Sequence, residues 1–182
     1  TGTATSQVTI SNNPTATVSG GTFCATGTTT LTTTGATGGT FSATPAGLVI
    51  DPATGVIDLG ASTPNTYDIT YSFGTAPCTG TATSQVTISN NPTATVSGGA
   101  FCATGTTTLT TTGAIGGAFS ATPAGLVIDA NTGVIDLAAS AANTYTITYS
   151  FGTAPCTGTA TSQVTVSAQP TATVSGGTFC NS

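Results

Sequence analysis

The feature that most constrains this chain is an internal repeat with a period of 78 residues. The segment TGTATSQVTI begins at Thr1, begins again at Thr79, and returns as TGTATSQVTV at Thr157. The two complete copies, residues 1–78 and 79–156, differ at nine positions. A repeat of this length can enclose a small hydrophobic core, whereas solenoid repeats of about 20–50 residues cannot fold alone. The sequence therefore predicts a row of separate, nearly identical domains.

Short strand patterns separated by turn residues fill each copy. The clearest is residues 67–73, where every second side chain is aromatic or aliphatic and one face is therefore predicted to be core. The other predicted strands of the first copy are 15–18, 28–34, 40–43, 48–50, 56–59 and 81–89. No segment shows a helical period. Seven short strands in about 80 residues fit an all-β fold of tandem immunoglobulin-like sandwiches.

The predicted domains differ in phase from the repeat. Because Pro14 precedes the first strand, module 1 is predicted to span residues 14–91 and module 2 residues 92–169. Residues 1–13 are then the last strand of a preceding module, and residues 170–182 the first strand of a following one. We expect the chain to be a piece of a longer array. Lone strands are unstable, so the predicted partners are further copies of the repeat in the same chain or in neighbouring chains.

Charge and composition exclude several classes of function. The chain has no Lys, Arg or His, and its five acidic residues give a formal net charge of −5. Nucleic acid is excluded as a partner because such binding depends on Lys and Arg neutralising phosphates. An enzyme working near neutral pH would lack His and Lys, two common acid–base groups. No apolar run reaches the length of about 18 residues that spans a membrane. We therefore expect a non-enzymatic protein with no cofactor and no membrane insertion.

The five cysteines recur at two positions of the repeat. Cys24, Cys102 and Cys180 share one position, and Cys78 and Cys156 share the other. They lack the close spacing of zinc ligands, and the sequence holds no histidine base to activate a catalytic thiol. Disulfides are therefore predicted.

The sequence leaves three cysteine pairings open. Pairing within each copy gives Cys24–Cys78 and Cys102–Cys156. In an immunoglobulin-like sandwich, however, Cys24 and Cys78 would lie at opposite ends, beyond the limit of about 7 Å between bridged Cα atoms. Unlike ends meet in a head-to-tail array, which favours Cys24–Cys156 and leaves Cys78, Cys102 and Cys180 to partners outside the segment. A Cys78–Cys102 bond is the third alternative.

Two aspartates in each copy are weak candidates for calcium ligands. They are Asp51 and Asp58, with their counterparts Asp129 and Asp136. Calcium takes six to eight oxygens, usually with several carboxylates on one loop, and each copy supplies only two. Asp51 also suits the first position of a turn. We therefore predict no metal site.

The motif AGLVIDPATGVI at residues 46–57, followed by NTYDITY at residues 65–71, resembles a signature of bacterial immunoglobulin-like repeats. Thr22-Phe23-Cys24 before the threonine-rich strand, with Cys78 after the aromatic strand, is similar to repeats in giant surface proteins of Bacteroidota. Those proteins are exported by the type 9 pathway and include gliding-motility adhesins. The resemblance implies an extracellular, cell-surface stalk, adhesin or filament. The alternative is a repeated module that binds a carbohydrate or surface ligand, with a surface glycan as its partner.

Overall fold

The structure is a computed structural model that describes residues 1–177, and this part of the chain is built of strands and turns without a helix. The chain divides into two compact units between Asn91 and Pro92. No candidate transmembrane helix is found among the described residues. The predicted all-β fold of tandem sandwiches is confirmed.

Each unit contains nine strands. In unit 1 they are β1 (Ala16–Val18), β2 (Gly21–Cys24), β3 (Thr28–Thr30), β4 (Thr33–Gly35), β5 (Thr40–Thr44), β6 (Val49–Ile50), β7 (Val56–Asp58), β8 (Asn65–Thr75) and β9 (Cys78–Ser89). In unit 2 they are β10 (Ala94–Val96), β11 (Gly99–Cys102), β12 (Thr106–Thr108), β13 (Thr111–Gly113), β14 (Ala118–Thr122), β15 (Val127–Ile128), β16 (Val134–Asp136), β17 (Asn143–Thr153) and β18 (Cys156–Ser167). The names module 1 and module 2 are used below for the sandwiches formed by β1–β9 and β10–β18.

Two layers face each other in each sandwich. In module 1 one sheet has the order β2–β9–β8–β5, in which β2 runs parallel to β9 and the other pairs are antiparallel. The facing layer contains the pair β1–β4 and the sheet β3–β7–β6. Because β3 and β4 are two parts of one broken strand, the layers match the ABED and CFG sheets of an immunoglobulin-like sandwich, with β2 added beside strand G. Module 2 repeats this topology.

The core lies between the layers and is filled mainly from β8 and β9. The four alternating residues of β8 that were predicted to be core are buried, namely Tyr67, Ile69, Tyr71 and Phe73. Phe41 of β5 packs against Tyr71 with ring centroids 4.7 Å apart. Leu31, between β3 and β4, closes the core from the other layer. Asp68, Thr70 and Ser72, which alternate with the four core residues of β8, consequently lie on the opposite face of the strand, as its two-residue period requires.

Tyr67 anchors the corner that leads into β8. Its side chain is fully buried, and its hydroxyl donates a hydrogen bond to the carbonyl oxygen of Thr63. Tyr145 of module 2 makes the equivalent bond to Ala141 over 2.7 Å. This arrangement is the tyrosine corner of immunoglobulin-like sandwiches. The bond gives each buried phenol the partner that it would otherwise lack.

Removing this hydroxyl should reduce stability without changing the fold. In Tyr67→Phe the Thr63 carbonyl loses its donor, so we expect the free energy of unfolding of module 1 to fall by about 1 kcal/mol, the usual net value of such a bond. Denaturant titration of the whole chain would measure the change. Tyr145→Phe is the matched variant in module 2. Unchanged unfolding midpoints in both variants would show that the corner bond contributes nothing.

The observed strands differ most from the predicted ones in three places. β2 was not predicted, because its four residues carry little alternation and it is held by tertiary pairing to β9. The predicted strand 28–34 is broken at Leu31, whose amide donates to the carbonyl oxygen of Gly55 over 3.0 Å. The last strand begins at Cys78, three residues earlier than predicted.

The first fifteen residues carry no strand, although Thr1–Ile10 repeats the sequence of β9. Val8 and Ile10 are 83% and 93% exposed, whereas Val86 and Ile88 at the same repeat positions are 0% and 2% exposed. The difference arises because Val86 and Ile88 have a second layer to pack against. Local sequence alone therefore does not order this segment.

Residues 168–177 also carry no strand. Val174 is 95% exposed, whereas its repeat equivalent in β10, Val96, is 9% exposed. The assignment of residues 1–13 and 170–182 to adjoining modules stays a prediction. Residues 178–182 lie outside the described part of the chain.

Candidate functional site at the ends of the modules

Each module carries one cysteine at each of its two ends. In module 1 the chain enters against the β8–β9 turn, where the Cγ atom of Pro14 lies 3.1 Å from the position of a Cβ on Gly74. Cys78 is the first residue after that turn, and this end is named the entry end. The chain leaves at the exit end, where Ser89 ends β9 beside Cys24, the last residue of β2.

The two cysteines of one module are far apart, as the sequence predicted. Eleven residue steps along β9 separate Cys78 from Ser89, which is about 36 Å at 3.3 Å per step. Cys24 pairs with Ser89 and is therefore similarly distant from Cys78. A disulfide requires Cα atoms within about 7 Å, so a Cys24–Cys78 bond does not fit the folded module. The pairing of β11 with β18 sets the same separation between Cys102 and Cys156.

Cysteines at equivalent repeat positions are in different redox states. Cys24 and Cys156 are both disulfide-bonded. Cys78, which is half-buried, and Cys102, which is exposed, are free thiols. The alternative bond Cys78–Cys102 is therefore not formed. The pairing of Cys24 with Cys156 stays a prediction, and Cys180 lies outside the described residues.

The exit end of module 1 and the entry end of module 2 are neighbours in the sequence. Ser89, which pairs with Cys24, is three residues before Pro92. Within module 2, the Cγ atom of Pro92 lies 3.1 Å from the position of a Cβ on Gly152, just before the β17–β18 turn. Cys156 is the first residue after that turn. Cys24 and Cys156 thus each lie, within their own module, close to the linker between Ser89 and Pro92.

Glycine is required where the entry segment meets the turn. Gly74 has a φ of +86°, and a Cβ there would lie 2.3 Å from the carbonyl oxygen of Cys78. Gly152 has a φ of +85° and the same 2.3 Å conflict with the carbonyl oxygen of Cys156. Only glycine combines this backbone conformation with such a close approach. These glycines therefore fix where the entry-end cysteine sits.

The aspartates that were weak calcium candidates hold local turns instead. The Oδ1 atom of Asp51 accepts hydrogen bonds from the amides of Ala53 and Thr54 over 2.8 and 3.0 Å. The carboxylates of Asp58, Asp129 and Asp136 likewise accept hydrogen bonds from backbone amides two or three residues later in the chain. Within residues 1–177 no group of three or more acidic, Cys or His side chains could hold a metal ion.

The amides of Thr54 and Ala53, in that order of effect, lower the pKa of Asp51. Because the folded pKa lies below the unfolded value of about 3.9, this stabilisation is present above about pH 4 and is lost as the pH falls through the folded pKa. We expect Asp51→Ala to lower the unfolding midpoint at neutral pH, by an amount that shrinks as the pH falls below about 4 and through the folded pKa. Denaturation of the wild type and the variant across this pH range would test the prediction, and Asp129→Ala is the matched variant in module 2. A pH-independent difference would contradict this origin.

A shallow depression lies on the surface at the entry end of each module. In module 1 it has a volume of 590 Å³, and its lining residues include Thr40, Ser72 and Thr79, which carry hydroxyl groups. The equivalent depression in module 2, with Ser150, has a volume of 490 Å³. Its aromatic lining residue in module 1, Phe73, is buried, and no charged residue lines either depression. The depressions thus present hydrogen-bonding groups without the exposed aromatic or charged groups that usually orient a ligand.

Comparison with known proteins finds only solved structures of low sequence identity and low TM-score. No family model and no curated protein matches the chain. Among solved structures, human protocadherin-24 EC1-2 is 11% identical, with 88% of this chain and 100% of that chain covered and a TM-score of 0.39. The titin I-band fragment I67–I69 is 9% identical, with 87% and 67% covered and a TM-score of 0.42.

A third similar structure is a SusE-like, surface-located polysaccharide-binding protein of Bacteroides thetaiotaomicron. It is 12% identical, with 84% of this chain and 34% of that chain covered and a TM-score of 0.34. TM-scores this low carry no argument about function. The immunoglobulin-like assignment therefore rests on the strand order, the core and the tyrosine corner of this chain itself.

Proposed function

We propose that this chain is part of a structural or adhesive stalk on the outer surface of a bacterial cell, built of immunoglobulin-like modules joined end to end by disulfides. The observation that carries the proposal is one cysteine at the entry end and one at the exit end of each module, with Cys24 and Cys156 disulfide-bonded. Cysteines at both ends of a repeat suit a linear array, because cross-links there would connect each module to its neighbours on both sides.

The bond proposed at the junction is Cys24–Cys156, and it is named the junction disulfide. Its support comes from three findings: both cysteines are disulfide-bonded, Cys78 and Cys102 are free thiols, and partners within a module are about 36 Å away. The linker also fits. The three residue steps from Ser89 to Pro92 reach at most about 11 Å.

The same chemistry supports the proposed surface location. Structural disulfides persist in oxidising environments outside the cytoplasm. A chain without Lys or Arg gives trypsin-like proteases no cleavage site, which suits a protein exposed to the medium. The resemblance of residues 46–57 and 65–71 to repeats of Bacteroidota surface proteins supports the same location and a place among the type 9 secreted adhesins.

The proposed role is not catalytic. The chain lacks His, Lys and Arg, and the turn-forming aspartates Asp51 and Asp129 are engaged with backbone amides. An arranged acid–base pair would need a carboxylate free to face a substrate. The proposed function of the chain is therefore to give the stalk its length and stiffness and to display it outside the cell.

The alternative function is a repeated binding module for a surface glycan. The observation that favours it is the hydroxyl-lined depression, which recurs in both modules. Two weak binding sites on one chain would together bind a glycan surface more tightly than either alone, because binding at one site raises the effective concentration of ligand at the other. Recombinant chain on a glycan array would test this: saturable binding that is lost in Ser72→Asp and Ser150→Asp supports the alternative, and its absence removes it.

The stalk itself is tested on the source cells. Antibodies raised against the 182-residue chain, visualised by immunogold electron microscopy, should label elongated material outside the cell envelope. Intact cells should be labelled as strongly as permeabilised ones. Label that appears only after permeabilisation would overturn the proposed location, and with it the proposed function.

A further inference from the structure

We propose that one pair of parallel strands in each module, β2 with β9 and β11 with β18, carries the tension when the chain is pulled lengthwise. The inference rests on the proposed function, because a stalk that projects from a cell is pulled along its length. It goes beyond that function by assigning the load to one short contact inside the module, and it requires no contact between modules.

The direction of the strands determines how tension reaches them. The chain enters module 1 at Pro14, close to Gly74 before the β8–β9 turn, and leaves it after Ser89, at the opposite end of β9. β2 is parallel to β9, so both strands run from the entry end towards the exit end. Tension therefore draws β2 towards the entry end and β9 towards the exit end, and the two strands are forced to slide past each other.

Sliding of this kind loads the bonds between the two strands together. The hydrogen bonds of a ladder run across the strands, so a force along the strands strains all of them at once. Opening a pair of strands from one end would instead break these bonds one after another. A contact that must open as a unit resists a given force for longer, because its barrier contains several bonds rather than one.

The contact with β9 extends beyond β2 on both sides. All four residues of β2 pair with β9. Before β2, the hydroxyl of Ser84 donates a hydrogen bond to the carbonyl oxygen of Ser19 over 2.8 Å. After β2, the amide of Ala25 donates to the carbonyl oxygen of Ser89 over 2.9 Å. The whole segment 19–25 is thus bonded to β9 in the parallel direction.

Module 2 has the same contact. The four residues of β11 pair with β18 in parallel. The hydroxyl of Ser162 donates to the carbonyl oxygen of Ser97 over 2.7 Å, and the amide of Ala103 donates to that of Ser167 over 2.9 Å. Each module therefore provides a matched variant for the other.

β9 is fixed to the rest of its module more firmly than β4, the partner of β1. On the side away from β2, β9 pairs with β8 over eleven residues, and its Val86 and Ile88 are buried in the core. β1 pairs with β4, and β4 has no other strand neighbour among the described residues. Because a two-stranded pair alone is marginally stable, we expect β1 to detach first and the contact of β2 with β9 to be the main barrier.

The measurement is made on the whole 182-residue chain, held by its two ends at constant force in magnetic tweezers. A reductant is present, so that no disulfide carries tension around the strand pairs. The wild type should lengthen in two steps, one for each module. Each step should be roughly 210 Å, because the chain from Pro14 to Ser89 spans about 250 Å when extended and about 40 Å when folded.

Ser84→Ala removes the hydroxyl bond to Ser19 at the start of the contact. One of the two steps should then occur about fivefold sooner at the same force, the change expected when one hydrogen bond is missing from the barrier. The step of the unchanged module 2 is the internal reference, and Ser162→Ala is the matched variant there. Ala25→Pro removes the amide donor at the far end of the contact and should also shorten the lifetime of module 1 under force.

Ser62→Ala is the control for a general loss of stability. The Ser62 hydroxyl donates to the carbonyl oxygen of Asp58 over 2.6 Å and accepts from the amide of Val49 over 2.9 Å, so its bonds involve neither β2 nor β9. This variant should lower the unfolding midpoint in denaturant at least as much as Ser84→Ala, yet leave the lifetime under force unchanged. Equal shortening by the two serine variants, or wild-type lifetimes in both Ser84→Ala and Ala25→Pro, would overturn the inference. The proposed stalk is tested separately, by labelling on cells, and can stand or fail independently.

Discussion

Tyr71→Ala should unfold module 1 at a temperature at which module 2 remains folded. The Tyr71 ring is 3% exposed and lies 4.7 and 5.6 Å, between centroids, from the rings of Phe41 and Phe73. Its hydroxyl donates to the carbonyl oxygen of Ala36 over 3.2 Å and accepts from the amide of Gly39 over 3.0 Å. Truncation of such a ring costs about 3–5 kcal/mol. A module of this size has only about 4–12 kcal/mol in total.

Differential scanning calorimetry of the whole chain provides the measurement. Because the two modules have equivalent cores, the wild type should give overlapping transitions, and Tyr71→Ala should split them into two. Tyr149→Ala is the mirror variant, since Tyr149 makes the same contacts in module 2. Tyr71→Phe keeps the ring and loses the two hydrogen bonds of the hydroxyl, so it should cost only about 1–3 kcal/mol. A single transition that shifts as a whole would show that the modules unfold together, contrary to this prediction.

The fold was largely predictable because its strongest signal is local. The alternation in residues 67–73 is enough to predict a strand with one buried face, and that face is the centre of the core. The tyrosine corner also has a local signal, a tyrosine at the start of that strand four residues after Thr63. β2 was not predicted because it is ordered by pairing with a strand 65 residues further along the chain, which no local pattern encodes.

The sequence was enough to predict that the two cysteines of a module lie at opposite ends, but not how the chain is arranged around them. Two cysteines per repeat on either side of the aromatic strand were enough to place Cys24 and Cys78 at opposite ends. The close approach of Pro14 to Gly74, which brings the entry segment to the turn before Cys78, was not predicted. It depends on a positive φ and on the approach of two segments sixty residues apart, and a single sequence encodes neither visibly.

Breaking the junction disulfide should make the junction flexible while both modules stay folded. Cys156 is 8% exposed, but neither it nor Cys24 belongs to a core cluster, so Cys156→Ser removes no side chain from either cluster. The loop that the bond would close exceeds a hundred residues, and chain-entropy estimates put its contribution at about 4–5 kcal/mol, spread over the unfolding of two modules. Interfaces between domains are otherwise small and mobile by default. We therefore expect the angle between modules to vary much more widely in the variant.

Electron microscopy of single particles and small-angle X-ray scattering would measure that spread of angles. Cys78→Ser is the matched control, because it makes the same chemical change at the other entry end, where the thiol is free. Reduction of the wild type should reproduce the Cys156→Ser result, and calorimetry should still show folded modules in both samples. If the angular spread of Cys156→Ser equals that of Cys78→Ser, the junction is rigid without its disulfide, and the stiffness of the proposed stalk must come from the interface between modules.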